Sequence, residues 1–368
     1  MDRFDEELPP GGRRKLSAPL LIAAGFSLAI VTIALVAVAC SPKRAPAPAA
    51  AYVSDESGGA VIVVDADKER IKTRIAVGKR PRGLKVSHDN RRLFVALSGS
   101  PRVGPGVDES QLPPADREAD GIGVIDLATN QLVRTLKCGQ DPESFDLSLD
   151  DATLYVSNEE TAEMTIVDVA SGAIKAKVRV GHEPEGVTVR PDGKVVFVTS
   201  EEDNEITVVD TNTLGIVANV ATGARPRSIV FTRDGRLGFA PAEAGGVVTV
   251  IDPNQFRVLA TIPITQNSPT PAGPRPMGAV LSRDEKTLYV STGRGGSLAV
   301  IDVATLKQVR SIDGVGNRPW GVALSRDGSH VYTANGTSND VSLVNPITGN
   351  VDKRIRVGGL PWGVALGS

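Results

Sequence analysis

From residue 51 onward the chain alternates apolar and polar positions in short runs separated by turn residues, the period-two signature of β-strands. The most regular marker is a Val/Ile run ending in an acid: Asp65, Asp126, Asp168, Asp210, Asp252 and Asp302, with Asn345 in the seventh place. Its middle members stand 42 residues apart. A proline recurs independently, at Pro81, Pro142, Pro184, Pro226, Pro276, Pro319 and Pro361, with the same count and matching intervals. Seven units of this length, each holding four short strands, predict an all-β seven-bladed β-propeller over residues 51–368. Helical repeats would need a 3.6-residue period, which is absent.

One unit shows the pattern. After Pro184-Glu185-Gly186 comes strand A (VTVR), then the turn Pro191-Asp192-Gly193, strand B (VVFVTS), a polar loop, strand C (EITVVD), a turn at Asn212-Thr213, and strand D (IVANVAT). Gly193, Gly235 and Gly328 can supply the positive φ of tight A-to-B hairpins. The chain enters the repeat inside a blade, at the B-type strand AYVSD, and stops on the A-type strand GVAL. The last blade must therefore combine the C-terminal inner strand with the N-terminal strands, which leaves no open sheet edge in the ring.

The composition fits this picture. Aromatics are 4% of the chain, Gly (38) and Pro (25) are frequent, and the apolar residues lean to Val and Ile. A formal net charge of -2 gives no attraction for nucleic acid. Of two cysteines, Cys40 ends an apolar run and Cys138 falls where other repeats carry Val77, Val180 and Val357. A disulfide framework is excluded, and Cys138 reads as a small buried hydrophobe.

Residues 1–17 read as a cytoplasmic leader. Residues 18–40 are uncharged and mostly apolar, long enough to cross a hydrocarbon layer of about 30 Å. Arg13, Arg14 and Lys15 precede them, which keeps the amino terminus inside and exports the rest. Two anchoring modes stay open. Ala37-Val38-Ala39-Cys40 resembles a lipobox with Cys40 as the lipidated residue, followed by a Pro/Ala linker at 41–50; the long acidic leader and long apolar run fit an uncleaved signal anchor. The Arg13-Arg14 pair matches a twin-arginine signal poorly. Each mode gives a membrane-anchored, periplasmic body.

The strands YVSD (52–55), YVSN (155–158) and YVST (289–292), together with VIVVD, IAVG and PRG, resemble the YVTN β-propeller repeat family, over essentially the whole body. The runs VGKRPRG, GQDPESF, HEPEGV, ARPRS and TANGTSNDVS look like the propellers associated with PQQ-dependent alcohol catabolism in bacteria. That resemblance implies a periplasmic setting rather than a reaction.

Because propeller strands alternate direction, the D-to-A connections with their prolines share one face with the B-to-C loops. Around that mouth lie Arg80 and Arg82, Asp141 and Glu143, His182 with Glu183 and Glu185, Arg225 and Arg227, Arg275, Arg318 with Trp320, and Trp362. Blades two and three give an acidic sector, extended by Glu159, Glu160, Glu201, Glu202 and Asp203; blades one and four to six give arginines. Two insertions, 99–121 and 263–275, belong to the same face. Ion pairs between blades account for much of this charge pattern. They account less well for Arg275, Arg318, Trp320 and Trp362, where planar guanidinium groups beside indoles suit a small anionic or aromatic ligand. His182 beside two glutamates could move a proton or bind a metal, but a single loop His is more often solvated; His88 and His330 have no companion at metal spacing. The six acids ending the C strands, and Asn345 in the seventh place, read as turn caps.

The sequence holds no CxxCH, HExxH, GxSxG or Walker loop, so no cofactor, metal or catalytic residue is assigned. The leading expectation is a monomeric, non-catalytic scaffold binding a small ligand or a periplasmic protein through the mouth. The alternatives are a lactonase- or isomerase-like enzyme, with His182, Glu183 or Glu185 as base and Arg225 or Arg275 holding negative charge, and a redox accessory protein holding a noncovalent cofactor such as haem d1.

Overall fold

The computed structural model describes residues 50–102, 111–267 and 270–367. The leader, the 18–40 segment with Cys40 and nearly all of the linker lie outside the described residues. Among the described residues no helix is long and apolar enough to cross a membrane.

The strands form seven four-stranded antiparallel sheets. Blade one spans 81–136, blade two 142–179, blade three 184–221, blade four 230–263, blade five 279–313 and blade six 319–356. Blade seven joins Pro361–Leu366 to Ala50–Asp55, Ala60–Asp65 and Arg70–Ala76, with Val53 paired to Val364. The expected closure is therefore present. In blade three the strands are Pro184–Val189, Val195–Ser200, Glu205–Asp210 and Ile216–Ala221. The inner strands of blades four (Val230–Phe231) and five (Ala279–Leu281) are shorter than the repeat suggests. In blade four, Pro241 has no N–H to give and stands where blades two, three, five and seven carry Ser or Thr.

The core lies between blades, where inward-facing residues of adjacent sheets interdigitate. Between blades one and two, Phe94, Ile122, Phe145, Leu147 and Leu154 form one such layer, with Phe94 and Phe145 edge to face at 6.4 Å. Cys138 is fully buried in that layer, and burial pushes its thiol far above the ordinary range. The C-strand acids cap turns as expected: Asp210 accepts the N–H groups of Asn212 and Thr213, and Asn345 those of Ile347 and Thr348.

The innermost contact is a Pro-x-Gly segment. A Cβ on Gly186 would stand 2.7 Å from Arg227 O, on Gly278 2.7 Å from Trp320 O, on Gly321 2.8 Å from Trp362 O, and on Gly363 2.9 Å from Arg82 O. These glycines let each inner strand approach the backbone of the next. A hydroxyl from the end of strand B bolts the approach: Ser157 Oγ donates to Glu185 O at 2.6 Å, Ser291 Oγ to Trp320 O at 2.6 Å and Ser54 Oγ to Arg82 O at 2.7 Å. The Ser of each YVS run thus ties its blade to the following one.

Gly321→Ala should lower the unfolding free energy by about 1–3 kcal/mol, because its methyl meets main-chain atoms rather than a movable side chain. Denaturant unfolding checks this; an unchanged midpoint would show that the strands do not pack this closely.

Candidate functional site

The residue before six of the seven prolines is held in the left-handed region, at φ 40° for Arg80, 52° for Asp141, 46° for Glu183 and 54° for Arg275, with 58° for both Arg225 and Arg318. For residues with a Cβ this conformation is unfavourable and must be imposed by contacts. The contact is regular: the first residue of the B-to-C loop donates its N–H to the carbonyl of the pre-proline residue, Glu159 to Asp141 at 3.1 Å, Glu201 to Glu183 at 2.9 Å, Glu243 to Arg225 at 2.7 Å and Gly336 to Arg318 at 3.0 Å. The proline connections and B-to-C loops therefore do share a face.

The residues after the prolines are Arg82, Glu143, Glu185, Arg227, Met277, Trp320 and Trp362, and side chains of adjacent blades meet where Arg82 pairs with Glu143, Glu185 with Arg227, and Trp320 packs on Trp362. Arg82 is paired with Asp141 and Glu143 and lies 3.3 Å from Glu159. Burial opposes its charge, but Asp141, Glu159 and Glu56 outweigh that and hold its pKa above the usual guanidinium value. Asp141 also feels burial, yet Arg82 and the Ser98 hydroxyl keep its carboxyl below the normal range. Arg227 answers across the sector, paired with Glu185 and Glu201 and bonded to Glu243 through Nη2 at 2.6 Å and Nε at 2.8 Å. Arg225 pairs with Glu201, and Arg80 with Glu56 at 3.0 Å. The expected ion pairs between blades thus absorb the arginines of blades one and four.

Two acids of this network, Glu56 and Glu243, were not named from the sequence, and Glu159 and Glu201 were named only as extending the acidic sector. Their signal was in the sequence, since Glu159, Glu201 and Glu243 follow one another at the repeat interval and open three successive B-to-C loops. Glu159 is the most perturbed. Burial pushes its carboxyl up to about 7, Arg82 opposes that, and the charges of Glu185, Asp141 and Glu183 add to it. Glu183 is also raised, by burial and by Glu202. A cleft of about 590 Å3 opens beside them, lined by Glu159, Glu183, Asp141, Ser100 and Arg117 together with residues 112–115 of the first insertion. His182 borders it with a side chain 60% exposed and its Nδ1 3.1 Å from Asp203 rather than from the two glutamates. Of the bases considered from the sequence, His182 is thus a solvated loop residue and Glu185 is taken by Arg227.

The opposite sector is different. Among the described residues the Arg275 side chain bonds a carbonyl, with its Nε 3.0 Å from Ala272 O. Arg318 stacks on Trp320 at 4.8 Å, and Trp320 meets Trp362 edge to face at 5.3 Å. The mouth is two-sided in a sharper sense than expected: one side is a neutralised ionic network, the other an aromatic wall with cations.

Ring and mouth define a seven-bladed β-propeller with a charged central cleft. The chain belongs to the choice-of-anchor I domain family, whose model matches residues 23–225. Residues 215–357 match the model of the seven-bladed β-propeller lactonases. Among solved structures, the periplasmic gluconolactonase PpgL of Pseudomonas aeruginosa shares the ring at 22% identity and a TM-score of 0.70, over 87% of this chain and 99% of that one. A protein from Lactobacillus plantarum does so at 15% identity and a TM-score of 0.71, over 86% and 99%. The hydrazine synthase of Kuenenia stuttgartiensis does so at 21% identity and a TM-score of 0.65, over 82% and 92%. No curated protein sequence matches.

These matches overturn the expected non-catalytic scaffold and point to lactonase-like propellers, the alternative reading. The scaffold expectation rested on missing nucleophile and metal motifs. Lactone hydrolysis needs neither, because water supplies the nucleophile and a carboxylate can activate it.

Arg82→Ala strands Asp141, Glu143 and Glu159 without their shared cation and should cost about 3–5 kcal/mol at pH 7. Without Arg82 the carboxyls titrate higher, so the deficit should shrink as pH falls toward 4 and protonation removes the repulsion. Denaturant unfolding at both pH values checks the sign; an equal deficit at both would contradict it.

Proposed function

We propose that this propeller is a lactonase-like hydrolase that opens a lactone ring at the mouth of its channel. The observation that carries the reading is Glu159: a carboxyl titrating near neutrality, 3.3 Å from a buried guanidinium and on the wall of an open cleft. A base poised near the working pH is deprotonated often enough to act and basic enough to take a proton from water. Glu159 removes that proton as the water oxygen bonds to the lactone carbonyl carbon, and the carbonyl electrons move onto oxygen. Arg117, on the wall of the same cleft, can face the resulting oxyanion. Collapse re-forms the carbonyl and breaks the ring C–O bond; the leaving oxygen takes the proton back from Glu159, giving a hydroxy acid. The lactonase-family match over residues 215–357 supports the same chemistry.

The apolar 18–40 segment behind Arg13, Arg14 and Lys15, the lipobox-like Cys40 and the YVTN-like strands support an extracytoplasmic, membrane-anchored setting for this activity.

Purified protein given a panel of γ- and δ-lactones, with ring opening followed by pH-stat, should turn over at least one of them. Below pH 7 its kcat/KM should rise about tenfold per pH unit and then level off, as Glu159 loses its proton. Glu159→Gln should reduce kcat/KM by about 100-fold or more. A flat profile, or full activity in the Gln variant, would sink the assignment of Glu159.

A further inference from the structure

Across the ring from the acidic sector, the connection between blades five and six and the B-to-C loops of both enclose a cleft of about 930 Å3. Three arginines line it: Arg294 from the turn Gly293–Gly295, Arg318 before Pro319, and Arg354 from the strand Val351–Arg356. Arg354 is satisfied, donating to Gly314 O and lying 3.8 Å from Asp340. The acid on the cleft wall, Asp313, accepts from Ser311 at 2.6 Å.

Arg294 and Arg318 are not satisfied. Among the described residues neither guanidinium has an ion-pair partner or a hydrogen-bond acceptor, and the contact of Arg318 is its stack on Trp320. Burial, and next the nearby charge of Arg294, lower the pKa of Arg318. A half-buried cation with Glu243 and Glu56 acting on it only beyond ion-pair contact, and with a second cation nearby, is costly, and an anion in the cleft lowers that cost. Beside the Trp320 ring, with its Cζ 4.8 Å from the ring centre, the Arg318 guanidinium has N–H donors available to a two-oxygen acceptor. The side chains of Asn317 and Thr337 add uncharged hydrogen-bonding groups to the same wall.

We infer that this cleft is a second ligand site, separate from the Glu159 cleft, which takes an oxyanion, a carboxylate or phosphate group, between Arg294 and Arg318. The inference does not depend on lactone hydrolysis. The T-shaped pair of Trp320 and Trp362 behind Arg318 adds a surface for a flat ring attached to that anion.

Of the two tryptophans of the protein, Trp320 lies against the Arg318 guanidinium and Trp362 against Trp320, so intrinsic emission excited at the indole band edge reads a change at Arg318. Full-length protein titrated with sodium benzoate and, separately, with inorganic phosphate at constant ionic strength should give a saturable emission change with at least one of them. A response to benzoate alone identifies an aromatic carboxylate as the ligand class; a response to both, or to phosphate alone, identifies a site for the anion itself. Arg318→Ala should abolish the response. Arg294→Ala, on an exposed turn where folding is not at stake, should weaken apparent affinity about tenfold or more. Glu159→Gln should leave the response intact, which separates failure of this site from failure of the hydrolase reading. Flat titrations with both anions, or a response kept by both arginine variants, would overturn the inference.

Discussion

The structure depends on how closely seven inner strands can approach one another around an axis. At the Pro-x-Gly segments main-chain atoms of adjacent blades come within a distance that leaves no room for a Cβ, and the strand-B hydroxyls close the gap with hydrogen bonds from blade to blade. With the backbone so fixed, the residue after each proline is carried to the same place in its blade, beside the neighbouring blade's inner strand, and there Arg82 meets Glu143, Glu185 meets Arg227 and Trp320 meets Trp362. Packing therefore decides the address of Arg82, Glu143, Glu185, Arg227, Met277, Trp320 and Trp362, while their identity decides the chemistry. That division of labour lets one ring carry varied sites.

Two consequences follow from the order of those residues. Where two acids stand between two arginines, in blades one to four, charge is neutralised within the ring and three further glutamates from the B-to-C loops join the network. More carboxylates crowd this sector than its arginines can hold at full charge, and the excess appears as the raised pKa of Glu159. Where tryptophans follow, in blades six and seven, Arg318 lies against an indole instead of a carboxylate. The first sector holds a carboxyl with a raised pKa; the second holds Arg294 and Arg318, which among the described residues have no ion-pair partner.

Much of this was legible from the chain. The blade number, the shared closing blade and the face bearing the proline loops followed from two markers with one period, because a repeat that must bury its faces against its neighbours advertises itself in spacing. The closest packing was legible only as a motif: nothing in the sequence says that Gly321 needs its missing Cβ because Trp362 O is there. The pairing of charges was harder still. Arg227 draws one glutamate from its own blade and two from the blade before, so its partners lie 16, 26 and 42 positions away, and no local rule connects them. Arg294 escaped notice because it lies in a B-to-C turn, away from the proline, and matters only because the turn faces Arg318 across a cleft. Function was weighted wrongly for a chemical reason, since a reaction that uses water and a carboxylate leaves no nucleophile motif to find.

The central claim is that post-proline residues of adjacent blades touch, and a double-mutant cycle on Arg227→Ala and Glu185→Ala, read by denaturant unfolding, tests it most directly. Contact predicts a coupling energy above about 0.5 kcal/mol, with the double variant losing less than the two single losses combined. Additivity would mean that the two side chains are apart, and that the inner strands do not set the mouth of the channel in the way described.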